Sequence, residues 1–270
     1  MGFEAITYDV DGKVVRIGLN RPKTMNAIDG AMKRELLEAV KMAAEVKDAT
    51  VVLIYGHGKA FSTGVDLKDA AFNSWEHSPE GWTGHFNQMI DTARVIWKMD
   101  IPVITAVKGY CLGAGCDLAL MGDLTLASDD AKFGEPEVRH GAFAPTLIVP
   151  WVVGMKKAKE FLIMGKTIGA DEAKAIGMVN EVFPLAEFDQ NVESWLEYIC
   201  KLPKPALKVC KRAINKGYEM MGLFDAIEYN REISALLALY KSKEERESRN
   251  QFVREHGLKA FLEQRDKKFE

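Results

Sequence analysis

Three short runs of the sequence are apolar at almost every position, and each has the length of a buried strand. They are Thr50–Tyr55, Ile101–Val107 and Leu124–Ala127. Strands that are covered on both faces have this pattern, and they occur almost only in parallel sheets flanked by helices. Helical patterns separate the runs, near Gln88–Lys98 and Gly113–Met121. The alternation of strand and helix therefore predicts an α/β fold built on a parallel sheet.

The N-terminal segment predicts a hairpin followed by a helix. Two strands, Ile6–Val10 and Val14–Leu19, are joined by Asp11-Gly12, which is a favoured two-residue hairpin turn. Asp29 is a good N-cap for a helix that we expect to end near Val46, because apolar residues recur there at helical spacing.

Beyond about residue 169 the pattern becomes helical. Val179–Phe183 is the last predicted strand, and the predicted helices are Leu185–Lys201, Ala206–Met221, Leu223–Ser242 and Phe252–Phe269. A helical region without a sheet of its own must bury its apolar faces elsewhere, so we expect it to cover the core or a neighbouring subunit. We predict a core of residues 1–195 and a helical C-terminal region of residues 196–270. The irregular stretch Phe72–Phe86 is expected to be a mobile surface loop near a site.

The composition is that of an ordinary soluble protein, with 47% apolar and 28% charged residues. The net charge of −3 gives no reason to expect nucleic acid as a partner. No signal peptide is expected, and no apolar run approaches the roughly 20 residues of a membrane span. The cysteines lack CxxC spacing, which predicts buried free thiols in a reducing compartment rather than a disulfide frame or a zinc site. They are Cys111, Cys116, Cys200 and Cys210. A cytoplasmic location is therefore expected.

The strongest local feature is a glycine-rich turn, Gly109–Gly115, directly after a buried strand and directly before a helix. Small residues let a ligand approach the backbone, and the first amides of a helix are unpaired donors. The turn is therefore a candidate anion or oxyanion site, although tight packing of helix on strand explains it equally well. A dinucleotide site is not predicted, because Leu118 stands where the third glycine of that motif is required.

A second turn of small residues, Gly56–Asp66, follows the first buried strand. It is not a P-loop, because it lacks the Gly-Lys-Ser/Thr ending. Two such turns after parallel strands place two sets of backbone amides at the same edge of the sheet, where ligands bind in open α/β folds.

Two carboxylates are candidates for chemistry. Asp117 lies one helical turn after Ala114 and among apolar neighbours, where a buried charge is costly without a purpose or a partner. Glu137 follows Pro136, which stiffens the backbone before it. A lone acidic residue is more often a surface charge or a helix cap than a catalyst.

At this point five segments, in order, resemble the enoyl-CoA hydratase/isomerase (crotonase) family. They are Leu19–Ala27, Ala60–Leu67, Gly109–Asp123, Phe133–Glu137 and Ala170–Asn180, and the C-terminal Gly257–Leu262 is also similar to the family. The resemblance covers most of the chain. It implies an α/β fold of the crotonase type, a spiral of ββα turns with a helical C-terminal region that builds trimers or dimers of trimers. The implied substrate is an acyl-CoA thioester; no metal and no cofactor is implied, since coenzyme A is part of the substrate.

The resemblance also implies roles for individual residues. The backbone amides of Val65 and Ala114 match the two donors of an oxyanion hole, and Asp117 and Glu137 match the two acid/base positions. The coenzyme A-binding positions correspond to Met25, Ala27, Ser62, Thr63, Asp66, Leu67 and Lys68. Two amides aimed at the thioester oxygen would stabilise the enolate, and losing one such donor costs about 3–4 kcal/mol in other enzymes.

The chain departs from the family pattern near the second carboxylate. Typical hydratases have Glu at both acid/base positions, whereas the first is Asp117 here. The additional Asp of dienoyl-CoA isomerases, and the glycine whose amide helps to hold water in hydratases, both fall at Pro145, which has no amide hydrogen. His140 is a candidate replacement as acid, base or substrate contact, although a histidine there is more often structural. Trp75, Trp82, Phe86 and Phe143 could wall an acyl group or be ordinary packing.

Several functions stay open on the sequence. The leading hypothesis is reversible hydration of a 2-enoyl-CoA; double-bond isomerisation of an enoyl- or dienoyl-CoA and hydrolysis of an acyl-CoA are the alternatives within the family. Incorporation of heavy oxygen from water separates hydration from isomerisation, and release of a free acid identifies hydrolysis. An inactive acyl-CoA-binding scaffold would bind without turnover. A nucleotide-phosphate site at the glycine turn would bind free NAD or ATP.

Overall fold

The computed structural model describes residues 2–69, 78–144, 146–240 and 243–269. Its larger sheet has six strands in the order β1-β2-β3-β5-β7-β10. These are β1 (Ile6–Asp11), β2 (Val14–Leu19), β3 (Val51–Gly56), β5 (Val103–Val107), β7 (Leu124–Ser128) and β10 (Glu181–Phe183). Only the β1–β2 pair is antiparallel; the other neighbours in this sheet are parallel. The parallel sheet predicted from the apolar runs is therefore confirmed.

A second, smaller sheet has four strands in the order β4-β6-β8-β9. They are β4 (Ala60–Ser62), β6 (Tyr110–Leu112), β8 (Lys132–Gly134) and β9 (Thr167–Gly169). The first three are parallel to one another, and β9 is antiparallel to β8. Along the chain, β3, β5 and β7 of the large sheet are each followed directly by a strand of the small sheet. The chain thus winds as a spiral that adds one strand to each sheet per turn.

Helices complete each turn and then form the C-terminal part. They are α1 (Gly30–Glu45), α2 (Pro79–Lys98), α3 (Ala114–Leu120), α4 (Val149–Val153), α5 (Met155–Met164), α6 (Ala170–Ala175), α7 (Phe188–Cys200), α8 (Lys204–Met220), α9 (Leu223–Leu239) and α10 (Lys243–Asp266), the last with a kink at Gly257. A 3₁₀ helix, Pro136–His140, follows β8. The predicted domain boundary at residue 195 falls within α7, and the division into two regions stays a prediction.

Two local predictions were wrong in detail. The stretch predicted as a mobile loop to Phe86 is helical from Pro79 onward, because Ser78 accepts a hydrogen bond from the Gly81 amide and Pro79 suits the first helical turn; the residues from 72 to 77 lie outside the described part. The hairpin turn is Gly12-Lys13 rather than Asp11-Gly12, since Asp11 still pairs with Val14. The N-cap at Asp29 is confirmed, with its carboxylate accepting from the Met32 amide at 2.8 Å.

The C-terminal helices are fixed to the core by a buried lysine on α8. The Lys211 ammonium donates to the carbonyl oxygens of Ile96 (2.9 Å) and Ile101 (3.1 Å), and it forms an ion pair with Asp123 at 2.7 Å. Its side chain is only 5% exposed. A charge buried with this many partners ties α8 to both α2 and the entry of β7.

Two expectations about the whole chain can be compared with the described residues. All cysteines are free, but Cys210 is exposed on α8 and Cys200 is half-buried, so the prediction of buried thiols holds only for Cys111 and Cys116. Each helix in the described ranges is too short or too polar to pass through a lipid bilayer.

Candidate active site

The turns after β4 and β6 lie side by side because their strands are parallel neighbours in the small sheet. Gly64, with a φ of +84°, packs so closely on the second turn that a Cβ would lie 2.8 Å from the Leu112 carbonyl oxygen and 3.3 Å from the Ala114 nitrogen. Only glycine fits this conformation and this approach. The amides of Val65 and Ala114 are thus brought to neighbouring positions, and within the described residues neither amide donates a hydrogen bond.

The segment predicted to hold coenzyme A forms one surface with the turn after β4. Met25 and Asn26 both have a positive φ, and the Met25 carbonyl accepts from the Thr63 amide at 3.2 Å. The Ser62 hydroxyl donates to the Asn26 carbonyl at 2.8 Å. The Asn26 side chain, which is fully buried, donates to two carbonyls and accepts from the Arg21 amide.

An ion pair continues this surface. Arg21 contacts Asp66 at 2.9 Å and also donates to the Ala27 carbonyl. Asp66 in turn accepts from the Lys68 amide at 3.0 Å, and Lys68 itself is exposed. Leu67, between them, is partly exposed. The predicted coenzyme A-binding residues therefore lie together, and their role stays a prediction.

Asp117 lies on the first turn of α3, three residues beyond Ala114, and is 1% exposed. The Thr146 amide donates a long hydrogen bond of 3.4 Å to its Oδ2, whereas Oδ1 is buried without a partner in the described residues. Burial raises the pKa of Asp117 to about 6, against a smaller lowering of the pKa by Thr146. The group can therefore change its charge near neutral pH.

Glu137 belongs to the 3₁₀ helix that follows β8, and its side chain also lies at the turn before α3. Its carboxylate lies against the Cα of Gly113, where an added Cβ would be 2.1 Å from Oε1. Burial raises the pKa of Glu137 to about 7, and the negative charge of Asp117 acts in the same direction. The two predicted acid/base residues are thus brought next to the turn that carries the Ala114 amide.

A third carboxyl group, that of Glu135, was missed as a site residue. It precedes Pro136 and is 2% exposed. Burial raises its pKa well above the usual range, and the charges of Asp117 and Glu137 add to that rise in pKa. The only sequence signal was a second Glu in the same motif as Glu137, and nothing in the motif distinguishes a buried from an exposed carboxylate.

The structure describes the remaining candidate residues only in part. His140 ends the 3₁₀ helix as a backbone position, and Pro145 and Trp75 lie outside the described residues. Trp82 and Phe86 pack together on α2 with ring centroids 6.0 Å apart, and Phe143 packs on the main core. Their contact with an acyl group stays a prediction. In the described parts of the chain, no cluster of His, Cys, Asp or Glu is arranged to hold a metal ion.

The interleaved spiral of ββα turns with its helical C-terminal region defines the crotonase class of folds. A crystal structure of an enoyl-CoA hydratase/isomerase from Xanthobacter autotrophicus Py2 superimposes with a TM-score of 0.93 at 34% identity and covers 100% of both chains. A sequence model of the family described as enoyl-CoA hydratase/isomerase matches residues 9–270. The chain belongs to the enoyl-CoA hydratase/isomerase family.

Individual relatives match this chain over most of their length. A protein named crotonyl-CoA hydratase from Syntrophomonas wolfei is 32% identical over 100% of this chain and 99% of its own. A probable mitochondrial enoyl-CoA hydratase from Dictyostelium discoideum is 31% identical over 92% of this chain and 87% of its own. The resemblance inferred from the motifs is therefore confirmed.

Proposed function

We propose that this chain catalyses the reversible addition of water to a 2-enoyl-CoA. The observation that carries the proposal is the position of the Glu137 carboxylate on Gly113, immediately beside the Ala114 amide. The names of the relatives, which are hydratases, favour this reaction over the others of the family.

The amides of Val65 and Ala114 would hold the thioester oxygen. As water adds to the β-carbon, negative charge moves onto that oxygen, and two fixed donors stabilise the enolate more than the neutral thioester. Because both donors belong to the backbone, they keep their orientation throughout the reaction. This stabilisation of the enolate would raise the rate at which water adds to a substrate that is otherwise weakly electrophilic.

The two carboxyl groups would divide the proton transfers. Glu137 lies beside the turn whose Ala114 amide would hold the carbonyl oxygen, and the α-carbon is two bonds from that oxygen, so we assign the transfer at the α-carbon to Glu137. Asp117, on the first turn of α3, would accept one proton of the attacking water, while the hydroxyl of that water bonds to the β-carbon. Glu137 gives its proton to the α-carbon, and a proton passed from Asp117 to Glu137 restores the starting state.

The pKa values suit this division. Burial raises both pKa values toward neutrality, to about 6 for Asp117 and about 7 for Glu137. Near neutral pH the pair therefore holds one proton, and hydration uses the form with an Asp117 carboxylate and a protonated Glu137. We expect the hydration rate to follow a bell-shaped pH profile.

Crotonyl-CoA in heavy-oxygen water tests the proposal. Hydration gives a 3-hydroxyacyl-CoA that carries the label, and Asp117→Asn and Glu137→Gln each lower kcat strongly with little change in binding. Glu160→Gln, a substitution of a fully exposed carboxylate, is the matched control. An isomer without label would indicate isomerisation instead of hydration, and release of a free acid and a thiol would indicate hydrolysis. Binding without turnover would indicate a scaffold.

We further propose that the chain associates with copies of itself as a trimer or a dimer of trimers. Helix α9 supports this, because its exposed apolar residues recur at helical spacing on one face: Tyr229, Ile233, Leu236 and Leu237, with Tyr240 at its end. Light scattering after gel filtration tests this, and Leu236→Asp should yield smaller species. A monomeric wild-type chain would refute it.

The cytoplasm is the compartment we propose, supported by the free cysteines, one of which is exposed. The setting would be fatty acid metabolism, in which 2-enoyl-CoA thioesters are hydrated. Cell fractionation tests the location, and a protein found only outside the cytoplasm would contradict it.

A further inference from the structure

The Arg21 side chain lies where the segment predicted to hold coenzyme A meets the turn after β4. Its own backbone is fixed, because its amide donates to the Asn26 side chain at 2.9 Å and its carbonyl accepts from the Asn26 amide at 3.0 Å. The guanidinium donates to the Ala27 carbonyl and forms ion pairs with Asp29 at 3.1 Å and with Asp66 at 2.9 Å. A single side chain therefore joins both segments.

These contacts surround a backbone bridge between Ile28 and Val65. The Ile28 amide donates to the Gly64 carbonyl at 2.8 Å, and the Ile28 carbonyl accepts from the Asp66 amide at 2.9 Å. On one side of the bridge the guanidinium holds both chain neighbours of Ile28, and on the other side it holds Asp66, the residue after Val65. Neither bond of the bridge uses the Val65 amide, which therefore stays available to a ligand.

A guanidinium is suited to this task because its donors diverge from one rigid plane. The Nε atom of Arg21 contacts the Asp29 carboxylate, and one terminal nitrogen contacts both the Asp66 carboxylate and the Ala27 carbonyl. We propose that Arg21 is a positioning residue whose bridging guanidinium fixes the direction of the Val65 amide. This rests on the proposed function, because that amide is one of the two donors that would hold the enolate oxygen.

The consequence of losing Arg21 follows from the burial of its partner. The Asp66 side chain is 10% exposed, and a sheltered carboxylate without its cation is costly. Without Arg21, the Asp66 side chain should therefore move toward water and displace the backbone of Val65. A displacement of the donor by about 1 Å would cost about 10²-fold in rate. The rate of the chemical step would fall, although the contacts to the rest of coenzyme A remain.

Two substitutions separate the bridging role from charge alone. Arg21→Met removes the charge, and we expect it to lower kcat on crotonyl-CoA by about 10²-fold. The Kd of free coenzyme A should change much less than kcat, because the Asn26 side chain still fixes its turn. Arg21→Lys is the milder change, and it should recover only part of the rate, since the donors of an ammonium leave from one atom. Full recovery by lysine would overturn the role of the guanidinium.

Arg16→Met is the matched control for the loss of an arginine ion pair. Arg16 lies on β2, its side chain is 21% exposed, and it donates to both carboxylate oxygens of Glu193 on α7 at 2.7 Å. Its removal should lower the thermal midpoint but leave kcat unchanged. If Arg16→Met loses as much kcat as Arg21→Met, or if Arg21→Met keeps the wild-type kcat, then the positioning role is refuted.

Infrared spectroscopy of a bound thioester gives a readout that needs no turnover. The probe is butyryl-CoA with heavy carbon at the thioester carbonyl, since a saturated acyl chain cannot be hydrated. Hydrogen bonds to the carbonyl oxygen lower its stretching frequency. In the wild type and in Arg16→Met, the band of the bound probe should therefore lie below its position in free solution. In Arg21→Met it should move back toward that position.

The band also separates this proposal from the proposed reaction. An unshifted band in the wild type, or an equal shift in the wild type and Arg21→Met, overturns the positioning role. If crotonyl-CoA is not hydrated but the band behaves as expected, then the hydratase assignment fails and the positioning of the Val65 amide by Arg21 stands.

Discussion

Replacement of Gly113 by alanine addresses the contact on which the proposed chemistry depends. Gly113 has a φ of 53° and a ψ of −129°, a conformation that is open almost only to glycine, and holding alanine there costs about 1–3 kcal/mol. The new Cβ would also lie 2.1 Å from Oε1 and 3.2 Å from Cδ of Glu137. The backbone strain at residue 113 should therefore lower stability, whereas the contact of the new Cβ with Glu137 should lower activity.

The effect on activity follows from the distance. An ordinary contact between carbon and oxygen is longer than 3 Å, so the carboxylate must move by about 1 Å, and a misplacement of this size costs about 10²-fold in rate. We expect Gly113→Ala to lower kcat on crotonyl-CoA by about that factor. The strain should lower the thermal midpoint by several degrees, as judged from the usual relation for a chain of this size.

Gly12→Ala is the matched control. Gly12 also has a positive φ, of +57°, but a Cβ there meets nothing within 4 Å. The control should therefore show the strain without the loss of rate. Stopped-flow hydration assays and thermal unfolding measure the two effects. The reasoning is refuted if Gly113→Ala keeps a kcat close to the wild-type value, or if Gly12→Ala loses as much.

Three further substitutions test other parts of the structure. Asp117→Asn should abolish hydration and yet stabilise the fold at pH 8 by up to about 3 kcal/mol. The pKa of Asp117 in the folded state, about 6, exceeds its value in the unfolded chain. The stability that protonated Asp117 contributes is therefore present below about pH 4 and is lost as the pH rises through 6. Equal unfolding midpoints for variant and wild type at pH 8 would contradict this. Lys211→Met should destabilise by about 3–5 kcal/mol, because it leaves the partly buried Asp123 without its cation, whereas Lys216→Met at an exposed site should change the midpoint little. Asn26→Ala should weaken coenzyme A binding and lower stability by about 1–3 kcal/mol, since it removes three hydrogen bonds from a fully buried turn; a calorimetric Kd equal to wild type would count against the assigned binding surface.

The large sheet could be predicted from the sequence because its strands have a local signature. Every residue of β5 is buried, and every residue of β3 except the half-buried Tyr55 is buried. Such strands require apolar side chains at consecutive positions. The strands of the small sheet are three residues long, so they carry no periodicity, and their pairing depends on contacts made far along the chain. The early start of α2 had a signal in Ser78-Pro79, which was outweighed by the Trp, His and Gly residues around it.

The residues of the candidate site divide in the same way. Glycine turns and carboxylates are visible in the sequence, and their resemblance to the family's motifs allowed Val65, Ala114, Asp117 and Glu137 to be named. The Thr146 amide, which reaches Asp117 across 29 residues, could not be named, because a backbone donor leaves no mark on its own side chain. The burial of Glu135 likewise arises only when packing removes its carboxyl group from water.

The spiral also separates what each stretch of chain contributes. Val65 follows β4, Ala114 follows β6 and Glu137 follows β8, and these strands are successive parallel neighbours. An exchange or insertion in one turn leaves the other two in register, because the ladder between the strands is made by the backbone. A protein with this fold can therefore keep the turns that we propose to hold a carbonyl oxygen unchanged while substitutions alter the proton donors one turn at a time. Diversity of chemistry then needs only local changes and no new scaffold.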